Sequence, residues 1–206
     1  MLADARLGSG EQLGGLLEHY KNYLRLLAMA QMEERLSARL SPSDIVQETF
    51  YEAHRDFQQF RGGSSAELLA WLRAVLVNNL HRAVEHHLGT EKRDMRREVS
   101  IERIDASVER SAFRLEGVLQ DPGSSPSLRA QRQEREVALA DELARLPRDY
   151  REVIVLRHLS GMPFEQIGER MNRSPGAVRM LWLRGVRQLR EQMGDGWNRR
   201  FEEPQR

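Results

Sequence analysis

Apolar residues recur three or four positions apart along most of the chain, the spacing that lines one buried face of an α-helix. Within residues 12–35 the series Leu13, Leu16, Leu17, Tyr20, Leu24 and Leu27 predicts one amphipathic helix. Ser41, Pro42, Ser43 and Asp44 then supply a start signal: a serine to cap, a proline in the first turn and an early acid. Ile45, Val46, Phe50, Ala53, Phe57 and Phe60 predict a second helix, which ends at Arg61, Gly62, Gly63, Ser64 and Ser65. A third covers residues 66–88, with Leu69, Leu72, Val75, Leu76, Leu80 and Val84 inward and Gly89 closing it. No alternating strand pattern interrupts this series, so the sequence predicts an all-α fold.

The apolar rhythm weakens between residues 90 and 127, where Asp121-Pro122-Gly123-Ser124-Ser125-Pro126-Ser127 is the strongest linker signal. Residues 98–121 carry six acids against three arginines, with room for short helices near 101–104 and 113–119. Periodicity resumes at Leu128 and breaks at Pro147. The predicted organisation is two small helical domains, 1–95 and 128–193, joined by an acidic flexible linker at 96–127 and followed by a tail at 194–206.

The second domain holds the most informative pattern. A helix at 149–158 is followed by Ser160-Gly161, a short helix at 163–171, the turn Asn172-Arg173-Ser174 and a longer helix at 175–192. A serine oxygen before a proline caps free N–H groups where proline has none to waste. Two helices joined by a tight turn, the second longer and basic, make a helix-turn-helix. On the last helix Val178, Leu181, Trp182, Gly185, Val186 and Leu189 share the inward face, while Arg179, Met180, Leu183, Arg184 and Arg187 project the other way. Residues 173–190 contain five arginines and no acid, a composition suited to meeting negative charge. The bland readings are a solvated basic face or a site for an acidic protein; the turn and cap favour a helix entering the major groove. On that geometry Arg179 and Arg184 are candidates for guanine, and Arg173 and Arg187 for phosphates.

Charge changes the picture less than it first suggests. Thirty-two Lys+Arg against 31 Asp+Glu give a net +1, but this averages a purely basic last helix, an acidic linker and an acidic patch on the second helix. Lys21 and Lys92 are the only lysines; the arginine excess fits either codon bias or a need for planar, permanently charged groups. The absence of cysteine excludes disulfides, thiolate zinc and a cysteine nucleophile. No stretch approaches the roughly 20 apolar residues of a membrane span, and the first residues lack a signal peptide's apolar run. A cytoplasmic protein without membrane insertion is expected. His81, His86 and His87 scatter around their helix instead of converging on a metal. With no nucleophile–base set and no phosphate loop, no enzyme activity, catalytic residue, cofactor or metal is expected.

In the first domain Asp44, Gln47 and Glu48 fall at i, i+3 and i+4 and form one polar patch, by itself no more than an ordinary solvated face. The loop at 61–65 is either a plain connection or a place for close backbone approach to a ligand. Trp71 reads as core. Taken together, Pro42-Ser43-Asp44-Ile45-Val46-Gln47-Glu48-Thr49-Phe50, then Ala70-Trp71-Leu72 with Asn78, resemble the second conserved region of the sigma-70 family. Residues 143–153 and the helix-turn-helix through Gly176-Ala177-Val178-Arg179 resemble the fourth. With only these two regions, the chain resembles the small extracytoplasmic-function sigma factors.

That resemblance implies a promoter-specificity factor for bacterial RNA polymerase. Asp44, Gln47 and Glu48 match the helix that docks on the clamp coiled coil of the polymerase core. The loop Arg61, Gly62, Gly63, Ser64 and Ser65 matches the one that captures a flipped base of the melted −10 element. Asn78, Asn79 and Arg82 match the −10-reading surface. Arg173, Ser174, Arg179, Met180, Leu183, Arg184 and Arg187 match the −35-binding end, whose domain also meets the polymerase flap. Promoter DNA is thus an implied partner, and an anti-sigma protein is a further one the resemblance allows. The sequence departs from the family where small or hydroxyl residues are usual, at Ala177 and Met180, and where Leu76 and Val77 precede Asn78. Met180 and Leu183 cannot donate hydrogen bonds to bases, though they can contact thymine methyl groups. The rival reading is a stand-alone helix-turn-helix regulator on a duplex operator, which would leave the acidic patch and the Gly-Gly loop without a task.

Overall fold

The computed structural model describes residues 2, 10–32, 34–88, 101–116 and 129–201, and no strand occurs among them. The chain divides into two compact units, Met1–Ala112 and Phe113–Arg206. In the first, α1 (Gly10–His19), α2 (Lys21–Gln31), α3 (Glu34–Ser37), α4 (Pro42–Asp56) and α5 (Ser65–Leu88) follow in order, with a 3-10 turn at Phe57–Gln59. The core forms where α4 packs on α5 and both pack on α2. Tyr23, Leu24, Leu27, Leu68, Leu69, Leu72, Leu76 and Leu80 fill it with almost no solvent contact.

The single helix predicted over 12–35 is two. At Tyr20 the backbone N–H turns to the Leu17 carbonyl, three residues back, and α2 starts afresh. Leu16, Leu17, Tyr20, Tyr23 and Leu24 remain buried across the break, so the apolar pattern carries no mark of it. A second difference lies inside the range read as a flexible linker. Residues Ile101–Glu116 form one continuous helix, α6. Its buried Ile104, Val108, Ala112 and Leu115 are spaced four, four and three apart, a narrow stripe diluted by charges on every other face. In the first unit the Gln31 amide donates to the Ser111 hydroxyl at 2.8 Å and the Arg73 guanidinium lies 3.7 Å from Glu109. The Pro-Gly-Ser run at 121–127, Gly89 and residues 202–206 lie outside the described residues, as do the side chains of Trp197 and Phe201.

The second unit contains α7 (Arg129–Arg145), α8 (Arg148–Ile154), α9 (Phe164–Met171) and α10 (Pro175–Phe201), the last bent at Gly194, whose φ is 51°. The helix at α8 widens into a π turn over Val155–Leu159, where the Ser160 N–H reaches back five residues to the Val155 carbonyl. Such widened turns add a residue to the helix and re-aim the side chains that follow, and they concentrate at functional positions. Arg157 and His158 lie within this one. Val137, Leu143, Val153, Ile154, Leu156, Ile167, Val178 and Leu189 make the core.

Candidate nucleic-acid interface

The turn between α9 and α10 is built by three local devices. Asn172 closes α9 in the left-handed conformation (φ 52°, ψ 49°), which asparagine tolerates. The Arg173 N–H donates to the Gly168 carbonyl at 2.8 Å, drawing the turn against α9. Ser174 then caps α10: its hydroxyl accepts from the Ala177 N–H at 3.2 Å and its carbonyl from the Val178 N–H at 3.0 Å. Val178, Gly185 and Leu189 face the core, and Gly185 lies so near α8 that a Cβ there would stand 3.1 Å from that of Tyr150.

On the opposite side Arg179, Met180, Leu183, Arg184 and Arg187 are all exposed. The Arg179 guanidinium lies 5.3 Å above the Phe164 ring, which Arg157 also covers at 4.6 Å, so the face begins with a cation held by an aromatic platform. Arg187 pairs with Glu191 at 2.8 Å, and Arg173 with Asp149 at 2.6 Å. Both pairs are solvent-exposed and therefore weak enough to exchange for a phosphate. Ser174 is occupied as the cap.

Behind this face, the Trp182 indole N–H donates to His158 Nε2 at 2.9 Å, with the rings stacked at 5.8 Å. Only an unprotonated ring nitrogen accepts such a bond. Burial, aided by the charge of Arg157, pushes the His158 pKa below its usual 6.5. The folded value is the lower one, so the stabilisation is complete above pH 6.5 and is lost as the pH falls through the folded pKa. Thermal melts from pH 7.5 down to about pH 5 should therefore show less acid destabilisation for His158→Gln than for the wild type. Parallel pH profiles would refute this.

In the first unit, α4 begins with a capping box. The Asp44 carboxylate accepts from the Ser41 N–H at 2.7 Å, and the Ser41 hydroxyl accepts from the Asp44 N–H at 3.2 Å. Those hydrogen bonds, the backbone one foremost, lower the Asp44 pKa. Gln47 and Glu48 are exposed on the same stripe, and Tyr51, one turn further on, is 65% exposed. Sequence reasoning missed Tyr51, although a lone aromatic at i+7 of a polar stripe was the available signal.

The loop before α5 is folded by a residue the sequence reading did not single out. The Glu67 carboxylate accepts from the Gly63 N–H, the Ser64 N–H and the Ser64 hydroxyl at 2.8–3.0 Å, and its own N–H donates to Ser64. This is the S-x-x-E capping pattern. It takes up the loop N–H groups that a ligand would otherwise meet, leaving Arg61, Gly63 and Ser64 exposed as a shaped rim. Gly62 cannot be larger, because a Cβ would fall 2.4 Å from the Phe60 ring.

Along α5 the structure separates two neighbours expected on one surface. Asn78 is exposed, whereas Asn79 is 4% exposed, which corrects its assignment to the reading surface. Helical geometry puts Asn79 on the stripe of Leu72, Leu76, Leu80 and Ala83, all buried. Its amide donates to Glu52 at 3.2 Å and to the Val75 carbonyl at 3.1 Å, and its oxygen accepts from Arg82 at 2.6 Å. Arg82 also donates to Glu52. Asn79 and Glu52 thus hold the partly exposed Arg82 at the edge of an open cleft of about 670 Å³, lined also by Trp71, Asn78, His81 and Arg55. Trp71 is half-buried: one side stacks on Phe60 at 5.2 Å and another borders this cleft, so it is more than core.

Comparison with known proteins shows what the chain is similar to. Residues 136–189, which span the end of α7 through the exposed arginines of α10, match the family Sigma-70, region 4. RNA polymerase sigma factor CarQ of Myxococcus xanthus is 29% identical over 152 residues, 74% of each chain. That alignment is longer than the whole second unit and so reaches into the first. Over these spans the chain is similar to sigma factors of the sigma-70 family. The ECF RNA polymerase sigma-E factors of Escherichia coli K12 and Salmonella typhimurium LT2 are likewise 29% identical over 148 residues, 70% of this chain and 71% of theirs. No solved structure matches the chain. Among the described residues no helix is long and apolar enough to cross a membrane.

Proposed function

We propose that this chain is a sigma factor that directs bacterial core RNA polymerase to its promoters by gripping the −35 element as duplex and the −10 element as melted strand. The observation that carries the reading is the outer face of α10, where Arg179, Arg184 and Arg187 stand exposed directly after a capped turn, inside the span matched to region 4. Arg179 and Arg184 lie in the first turns, within reach of guanine edges; Arg173 and Arg187 exchange their exposed carboxylates for phosphates. Each phosphate neutralised steepens the fall of affinity with salt by about 0.9 in log–log slope.

The loop rim at Arg61, Gly63 and Ser64, with Asn78 and Arg82 on α5, meets the unpaired −10 strand. Unpairing costs a few kcal/mol, and stacking recovers about 1–3 kcal/mol per base, so one or two captured bases offset local melting. The stripe Asp44, Gln47 and Glu48 docks on the clamp coiled coil. Catalysis belongs to the polymerase; this chain contributes binding.

Run-off transcription with bacterial core polymerase, with and without the protein, on a promoter library tests the reading. New start sites that depend on the protein are expected, and Arg179→Ala should reduce −35-dependent initiation about tenfold, within the 1–3 kcal/mol of one base contact, while leaving core association intact. Absence of both polymerase association and new start sites would overturn the proposal. Tight binding to a duplex operator without polymerase would overturn it too.

A further inference from the structure

Two large apolar side chains of α10 face solvent: Met180, 51% exposed, and Leu183, 47% exposed. They are three residues apart and therefore neighbours on one face. Arg179, Arg184 and Arg187 surround them, all exposed, and the first carboxylate along the helix is Glu191. A solvated face has no use for this pair, since exposed methionine and leucine gain nothing from water. A site for an apolar protein segment would not be ringed by three exposed arginines, of which Arg187 has only an exposed and therefore weak pair with Glu191. The ring calls for a polyanion, and the pair at its centre calls for an apolar group presented by that polyanion. The thymine 5-methyl group is the apolar feature that duplex DNA displays in its major groove.

We infer that Met180 and Leu183 read thymine methyl groups on neighbouring base pairs of the −35 element, so that this sigma factor selects thymine at two positions by apolar contact. The spacing fits: three residues advance about 4.5 Å along a helix axis, close to the ~3.4 Å between successive base pairs. The arginines on either side fix the register through phosphates and guanines, and the apolar pair carries the discrimination between them. The inference rests on α10 being the −35-binding helix, and its test is arranged so that the two can fail separately.

Holoenzyme reconstituted from the full chain and bacterial core selects binding sites from a promoter library randomised across the −35 region. Enrichment of thymine, on either strand, at two neighbouring base pairs is expected. In the selected promoter each −35 thymine is then replaced singly by deoxyuridine, which lacks only the methyl. Each of the two critical replacements should weaken holoenzyme binding about fourfold, the effect of one buried methyl. Met180→Ala should erase the thymine–deoxyuridine difference at one position and Leu183→Ala at the other, with the remaining −35 dependence kept. Equal binding to thymine and deoxyuridine at every position, in a promoter whose −35 element is still required, overturns the inference and leaves the −35 role of α10 standing. Indifference to a scrambled −35 element overturns both. Variants that impair holoenzyme assembly without changing the thymine–deoxyuridine ratio would make the pair a protein contact and also overturn the inference.

Discussion

Glu48→Arg will remove the protein from core RNA polymerase in co-purification, while its own melting temperature stays within about a degree or two of the wild type. The asymmetry follows from where Glu48 stands. It is exposed on α4, one turn beyond Asp44, and it is outside the capping box that starts the helix. Surface substitutions away from caps and cores shift stability by about 0.5 kcal/mol or less. At a docked interface the same reversal replaces an attraction with a repulsion. Truncating one partner of a buried interfacial charge pair costs about 2–5 kcal/mol, or ~30-fold and upward in affinity. Asp44→Arg is the less informative change. Its carboxylate accepts the Ser41 N–H at 2.7 Å, so the substitution breaks a cap as well as a surface, and loss of a cap alone is worth about 1 kcal/mol. Unchanged co-purification of Glu48→Arg would remove the docking assignment of the whole stripe.

What the sequence made legible, and what it hid, divides along the range of the interactions. The turn before α10 could be read because its devices are local: a serine and a proline in succession, an asparagine able to take a left-handed backbone, and an arginine-rich face without acids. The capping of the loop before α5 by Glu67 is equally local, three residues from Ser64, but the glycines beside it are also the signal of a flexible connection. Asn79 was separable from Asn78 by its heptad relation to Leu72, which places it on the buried stripe. Contacts across the chain are another matter. The bond from Trp182 to His158 spans 24 residues, and the ion pair of Arg173 with Asp149 also spans 24. Neither has any periodicity in the sequence. The same holds for Glu52, an acid beside the buried Ala53 and Thr49 on α4; only the packing of α5 shows that it steadies Arg82.

Helix α6 illustrates a different limit. Its apolar residues Ile104, Val108, Ala112 and Leu115 follow helical spacing, but one apolar position per turn amid acids and arginines resembles a polar connector when only composition is weighed. Burial of that stripe decides the matter. A helix with so narrow an apolar face depends on its neighbours for stability, since short isolated helices are marginal in water.

Gly168→Ala will destabilise the second unit by about 1–3 kcal/mol, the range for overpacking a closed site, and will abolish −35-dependent initiation without removing the protein from core. A Cβ at Gly168 would lie 2.7 Å from the Arg173 carbonyl oxygen and 3.5 Å from the Pro175 nitrogen. Both are backbone atoms, so no side-chain rotation relieves the clash. The turn cannot yield by itself either, because the Arg173 N–H is bonded to the Gly168 carbonyl at 2.8 Å and Asn172 already occupies the left-handed region. Any retreat of Arg173 carries with it Ser174, the residue that caps α10, and shifts the first turns where Arg179 and Met180 stand. Gly176→Ala is the matched control. It lies eight residues on, inside α10, with nothing within 4 Å of the added carbon, and alanine in a helix should gain about 0.5–1 kcal/mol over glycine. Thermal melts of the two variants should therefore move in opposite directions. If both shift alike, the close approach of α9 to the turn is not what sets the angle between the two helices.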